Sequence, residues 1–177
     1  MTLDSTDDMI VKPHGGFAFK HGLILGAVGI VMSLIIFFTG NITSNWAQWV
    51  SMPVTIILLV MFMKKFREQE QGGYMSFGKA FGLCFLMNVV SGIMGLILFF
   101  LYFQIDDTLE DQFLEKTYEG YIDSGMSAAQ ADQTIEMAAP FMTPGMMMVW
   151  GAVGMLIGAV IISLILAAIM KRKHPLA

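Results

Sequence analysis

The sequence predicts an all-α membrane protein: four transmembrane helices in a bundle, with a two-helix acidic extracytoplasmic insert between helices three and four. Three observations lead there. Four long runs carry no charged side chain, in a chain that is 56% apolar and only 14% charged. A soluble domain carries roughly a quarter charged residues, and uncharged runs near this length are what a bilayer requires. The segment from Gln104 to Met142 holds nine of the fourteen acidic residues and a single basic one, Lys116. The other nine of the ten Lys and Arg residues lie in the N-terminal segment, between the second and third runs, and after the fourth.

Taken in order, residues 1–16 read as a disordered tail with Asp4, Asp7 and Asp8 among small polar residues. It does not read as a signal peptide, because the basic residues come late and no small-x-small site follows the first apolar run. Residues 17–171 form one membrane domain, with spans at about 20–39, 46–64, 78–104 and 144–170, an outer acidic insert at 105–142, and a basic tail at 172–177. Gly22 to Thr39 and Trp46 to Met63 are each 18 residues without a charge, about 27 Å of helix. The breakers Gly40 to Asn45 between them dictate a tight hairpin. Pro53 removes a backbone hydrogen bond from the second helix and places a kink near Trp49. It is read as a tolerated membrane proline, with a moving hinge as the alternative.

The second helix runs on through Lys64 to Gln71 and stops at Gly72-Gly73. Ser76 is the N-cap of the third helix, whose uncharged run from Ala80 to Ile105 exceeds what the bilayer needs and must tilt or protrude. In the acidic segment Leu109, Phe113, Leu114, Tyr118, Tyr121 and Ile122 fall at helical spacing, with Glu110, Asp111, Glu115 and Glu119 between them. Gly125 ends that helix, and Ser127 with Gln130 opens a second one through Ala139 by a capping box. Thr143-Pro144 is an N-cap followed by proline at the first helical position, the start of the last span.

Basic connections mark the cytoplasmic side, so both termini are expected inside. Trp46, Trp49, Tyr102 and Trp150 then form an outer aromatic belt. Small residues show where helices approach in lipid: Gly22 and Gly26 in the first span, Asn88, Ser91 and Gly92 in the third, Gly151, Gly154, Gly158 and Ser163 in the fourth. The second span has no glycine and is expected at the periphery. Gly15-Gly16-Phe17 and Gly72-Gly73-Tyr74 each precede a span, a hint of parallel repeats.

Gly72-Gly73-Tyr74-Met75-Ser76-Phe77-Gly78-Lys79-Ala80-Phe81, Gly125-Met126-Ser127 and Met142-Thr143-Pro144-Gly145 resemble the bacterial membrane family called domain of unknown function 4199. So does the order of parts, from about Lys20 to Lys171. The resemblance implies a bacterial inner-membrane protein of four helices. It transfers no catalytic residue.

The residues point to no reaction. Asn88 is the one strongly polar side chain in a span and is expected to bond across to another helix. Ion-coupled transporters place charged residues at mid-membrane, and none is found there. His14, His21 and His174 sit in flanks, read as solvated or interfacial. The single Cys84 excludes an intrachain disulfide. Met142, Met146, Met147 and Met148 could hold Cu(I), but gap-filling is the expected role. No enzyme, cofactor, metal site or nucleic-acid partner is therefore expected. The expected partners are the bilayer and a protein, or a second copy, meeting the acidic face of Glu110, Asp111, Glu115 and Glu119. A small transporter or permeation protein using the bundle interior is the alternative.

Overall fold

The computed structural model describes residues 14–39 and 45–172, with the side chains of 45–49 left out. Every element in them is helical: α1 His14–Phe38, α2 Asn45–Glu70, α3 Phe77–Ile105, α4 Leu109–Asp123, α5 Ala128–Ala138, a 3-10 turn Ala139–Phe141, and α6 Pro144–Met170. Among the described residues α1, α3 and α6 are long and apolar enough to cross a membrane. Together they are the makings of a multi-pass membrane protein. α2 is not among them, within the described residues, and its last two turns carry Lys64, Lys65, Arg67, Glu68 and Glu70. The expected tail at 1–13, the first turn at 40–44 and the basic tail beyond 172 lie outside the described residues. So do the side chains of Trp46 and Trp49.

Helix ends follow local chemistry. Ser76 has extended backbone and its hydroxyl accepts the Lys79 N–H at 3.4 Å, opening α3. Gly72 and Gly73 both have left-handed φ, +59° and +90°. That bend lets the Gly73 N–H reach back to the Arg67 carbonyl at 2.8 Å and close α2. Gly125, φ +94°, turns the chain between α4 and α5. Gln130 accepts the Ser127 N–H at 3.1 Å, and the expected capping box is present. Thr143 is extended and Pro144 begins α6.

α3 is the axis. Along α1, His14 lies by Gly82, Gly22 by Val90, Gly26 by Met94 and Ser33 by Tyr102, so α1 and α3 run parallel. Met155 lies by Gly92 and Leu96 by Gly151, so α6 runs antiparallel on the other side. α2 returns against α1, with Phe66 on Phe17 and Phe62 on His21. Parallel α1 and α3 need an intervening helix that returns, and α2 is that helix.

The core gathers at one end. Ala18 and Leu25 of α1, Leu59, Met63 and Phe66 of α2, Ala80, Leu83 and Met87 of α3, and Leu166, Ala167 and Met170 of α6 form a single buried cluster. As expected, α1, α3 and α6 pack on one another and the second helix lies at their periphery for much of its length, but at this end it joins the core. Its final turns contribute some of the largest fully buried side chains in the molecule. Glycine was the wrong signal there, because bulky Leu, Met and Phe knobs fill that contact. Towards the other end α2 separates from α1, leaving a cavity of about 300 Å³ walled by Leu25, Val28, Met32, Ser33, Thr55 and Leu58.

The small residues divide likewise. A Cβ at Gly22 would stand 2.9 Å from Val90 Cβ and 3.0 Å from the Met87 carbonyl oxygen, and one at Gly92 would stand 2.5 Å from Met155 Cγ. Gly26 meets Met94 and Gly151 meets Leu96. Gly154 and Gly158 do not mark a close approach: nothing lies within 4 Å of a Cβ at either. Gly154 is exposed and Gly158 half-buried, and Gly151 carries the contact instead.

Candidate functional site

Charge is sorted to the two ends of the bundle. Lys20, Lys64, Lys65, Arg67, Lys79, Lys171 and Arg172 lie where α1 and α3 begin and α2 and α6 finish. α4 and α5, at the opposite end of α3, carry Glu110, Asp111, Glu115, Glu119, Asp123, Asp132 and Glu136.

On α4 the expected stripe divides its contacts. Leu109 is fully buried. Phe113 reaches the rings of Phe99 and Phe103, centroids 6.1 and 6.3 Å away, and so fixes α4 to the end of α3. Leu114, Tyr118 and Tyr121 are half-buried, Ile122 is exposed, and Ala131 of α5 is buried. The hairpin of α4 and α5 is thus seated chiefly on α3. Asp111, Glu115 and Glu119 project into solvent and Glu110 is half-buried. Lys116 bonds Glu119 at 2.9 Å, which raises the lysine pKa and uses one of the four carboxylates locally. At the joint with α3, Asp106 accepts from the Thr108 amide at 3.0 Å and hydroxyl at 2.6 Å, and from Gln112 at 3.4 Å. The Thr108 hydroxyl and amide hold its carboxyl below the usual range.

In the bundle, Asn88 does not bond across helices as expected. Its amide donates to the Cys84 carbonyl at 2.9 Å and to Cys84 Sγ at 3.5 Å, one turn back on α3. The cause is helical spacing, which puts the carbonyl of residue i−4 within reach of a short amide. Ser163 of α6 is fully buried and approaches the same thiol without a hydrogen bond of good geometry. Neither this cluster nor Ser91 lines the two cavities described for the bundle. Tyr102 is no belt residue: it is buried, its hydroxyl donates to Ser33 Oγ at 2.8 Å, and its ring stacks on Phe37 at 4.3 Å. Trp150 is exposed at 58%, as a belt residue would be. Met142, Met146, Met147 and Met148 are all half-buried around the start of α6.

The sequence reading missed the basic end. His21, expected to be solvated or interfacial, is only 5% exposed. α1 begins at His14, earlier than Phe17, and this brings His21 onto the face that meets α2. Its Nδ1–H donates to the Phe17 carbonyl at 2.9 Å, its ring stacks on Phe17 at 3.7 Å, and Phe62 meets it edge-on at 4.8 Å. Arg67 is also buried. Its guanidinium reaches the Met170 carbonyl, the end of α6, at 3.5 Å and Glu68 at 3.3 Å, while Nε has no partner among the described residues. Next to it Met75 and Arg172 exchange backbone hydrogen bonds of 3.1 and 2.9 Å. The spacing of Phe17, His21, Phe62 and Phe66, each pair four apart, was the available signal for this contact.

Residues 20–172 match the family described as "Protein of unknown function (DUF4199)". No curated protein and no solved structure matches the chain.

Proposed function

We propose that this chain, which belongs to the DUF4199 family of proteins of unknown function, is a four-span interaction or structural protein of the bacterial cytoplasmic membrane. Both termini are cytoplasmic, and α4 and α5 form an acidic helical cap on the outer side. α2 is the fourth span: Trp46 to Met63 carries no charge, and α1 and α3 run parallel, so the chain must recross between them. The observation that carries the orientation is the sorting of charge, since basic connections stay on the cytoplasmic side. It also carries the function. The acidic side chains of α4 face solvent in a region whose apolar residues are partly used up on α3, which leaves a negative surface for a basic protein segment or cations. Such attraction is weak and falls with salt.

No catalytic role is assigned to any residue in this reading. Transport through the bundle has less support, because Asn88 is engaged with its own helix and the α3–α6 contact is packed by Met155 on Gly92.

One experiment tests side and interaction together. In a Cys84→Ser background, Glu119→Cys is reacted in cells stripped of any outer membrane with a membrane-impermeant thiol crosslinker. The expected outcome is reaction at Glu119→Cys and not at Glu68→Cys, with a crosslinked complex at low salt that disappears when Glu110, Asp111 and Glu115 are replaced by Gln. Reaction at Glu68→Cys alone reverses the orientation. A complex untouched by the Gln substitutions ends the acidic-face reading.

A further inference from the structure

At the basic end the seam between α1 and α2 opens into a cleft of about 540 Å³. Gly16, Lys20 and His21 line one wall and Lys65, Gln69 and Glu70 the other. Two lysines against one glutamate make the lining net positive. Their height matters as much as their sign. Lys20 stands just before the uncharged run that begins at Gly22, and Lys65 just after the one that ends at Met63. In a bilayer that fits these runs, both ammonium groups sit at the level of phospholipid phosphates, on facing walls of one opening.

The inner surface of the cleft adds two things. Gly16 and Phe17 belong to the first turn of α1, whose N–H groups have no acceptor within the helix. His21 is nine-tenths buried and lines the same cleft. Since a carbonyl only accepts, the Phe17 oxygen fixes the proton on Nδ1. In the neutral ring Nε2 then carries the lone pair, with no partner among the described residues, and can accept from a hydroxyl. Farther along the same α1–α2 seam lies the apolar cavity of about 300 Å³. The seam therefore offers cations and an acceptor at the membrane boundary and an apolar wall beyond it, the profile of an amphiphile.

We infer that the α1–α2 cleft binds the headgroup of an anionic, hydroxyl-bearing phospholipid, with Lys20 and Lys65 on its phosphate and His21 Nε2 accepting from its hydroxyl. The inference rests on the membrane reading proposed above and not on the acidic face. Basic pockets between spans on the cytoplasmic side are where such headgroups are held.

The test uses the full chain in detergent micelles, with phosphatidylglycerol or phosphatidylcholine added in equal amounts and adducts counted by native mass spectrometry. Phosphatidylglycerol is expected to remain bound, and the pair Lys20→Gln with Lys65→Gln to weaken it on the order of tenfold. The pair Lys64→Gln with Lys171→Gln removes the same charge from the same end and should leave binding intact. Lys20→Arg with Lys65→Arg should retain it, and circular dichroism confirms that each variant keeps its helix content. Equal binding of both lipids, or equal loss in both Gln pairs, overturns the site. Displacement by excess inorganic phosphate overturns the lipid as its occupant. Substituting Glu110, Asp111, Glu115 and Glu119 by Gln should not alter the adducts, so failure of the acidic-face reading and failure of this site register separately.

Discussion

The basic-end half of the bundle and the acidic-end half are built from the same four helices and packed in different ways. At the basic end all four converge, and large side chains such as Phe66, Met63, Leu83 and Met87 are fully buried together. Towards the acidic end the contacts described among the bundle helices are α1–α3 and α3–α6, through glycine against Met155 and through the Tyr102–Ser33 bond. Between α1 and α2 lies an apolar cavity walled by both. A membrane bundle with no hydrophobic driving force between its helices holds by shape. One half achieves this with interlocking bulk and the other with backbone proximity.

The largest expected effect comes from emptying the interlocked half. Phe66→Ala should lower stability by about 3–5 kcal/mol, read as loss of folded protein in a detergent unfolding series. Ile97→Ala, exposed on α3 at 56%, should change little. Equal losses would mean that the two halves are not packed differently. Next is overfilling at the backbone contact. Gly22→Val drives a side chain onto Val90 Cβ and the Met87 carbonyl and should cost about 1–3 kcal/mol. Gly154→Val enters open space and should be tolerated in the same assay. A Gly154 variant as damaging as the Gly22 variant would show that α6 meets something on that face.

The smallest effect sharpens the acidic end. Asp106 joins α3 to α4 with a carboxyl whose pKa the Thr108 hydroxyl and amide depress. A depressed carboxyl contributes above its unfolded value and loses its contribution as pH falls through the folded one. The α3–α4 joint should therefore hold at neutral pH and loosen only below the usual carboxylate range, seen as faster amide exchange at Thr108. Asp106→Asn should abolish that pH step.

Legibility followed the kind of signal. The helix ends could be read because turn chemistry is local: Ser76, Gly125 and Thr143-Pro144 act on neighbouring backbone. The central place of α3 was partly legible from Gly22, Gly26 and Gly92. Gly154 and Gly158 misled because a glycine shows that a helix can be approached and not that anything approaches it. Asn88 misled for a similar reason, its nearest acceptor being on its own helix. The basic-end cluster was missed because His21 and Arg67 look like ordinary flanking residues, although the four-residue spacing of Phe17 and His21 and of Phe62 and Phe66 marked facing stripes. The candidate acidic face was read from helical spacing, but its seat on α3 depends on Phe113 meeting Phe99 and Phe103, a contact that spacing does not specify.

The clasp at the end of α6 bears on biogenesis. Arg67 leaves the ribosome with α2, and its acceptor at the end of α6, the Met170 carbonyl, comes about a hundred residues later, as does the Arg172 backbone that pairs with Met75. Until then a cation on the second helix and the peptide groups of Met75 wait in water, while α1 and α3 are free to pair in the bilayer. The end of α6 is therefore what locks the first half of the chain, and a nascent protein halted short of Met170 has its base unfastened.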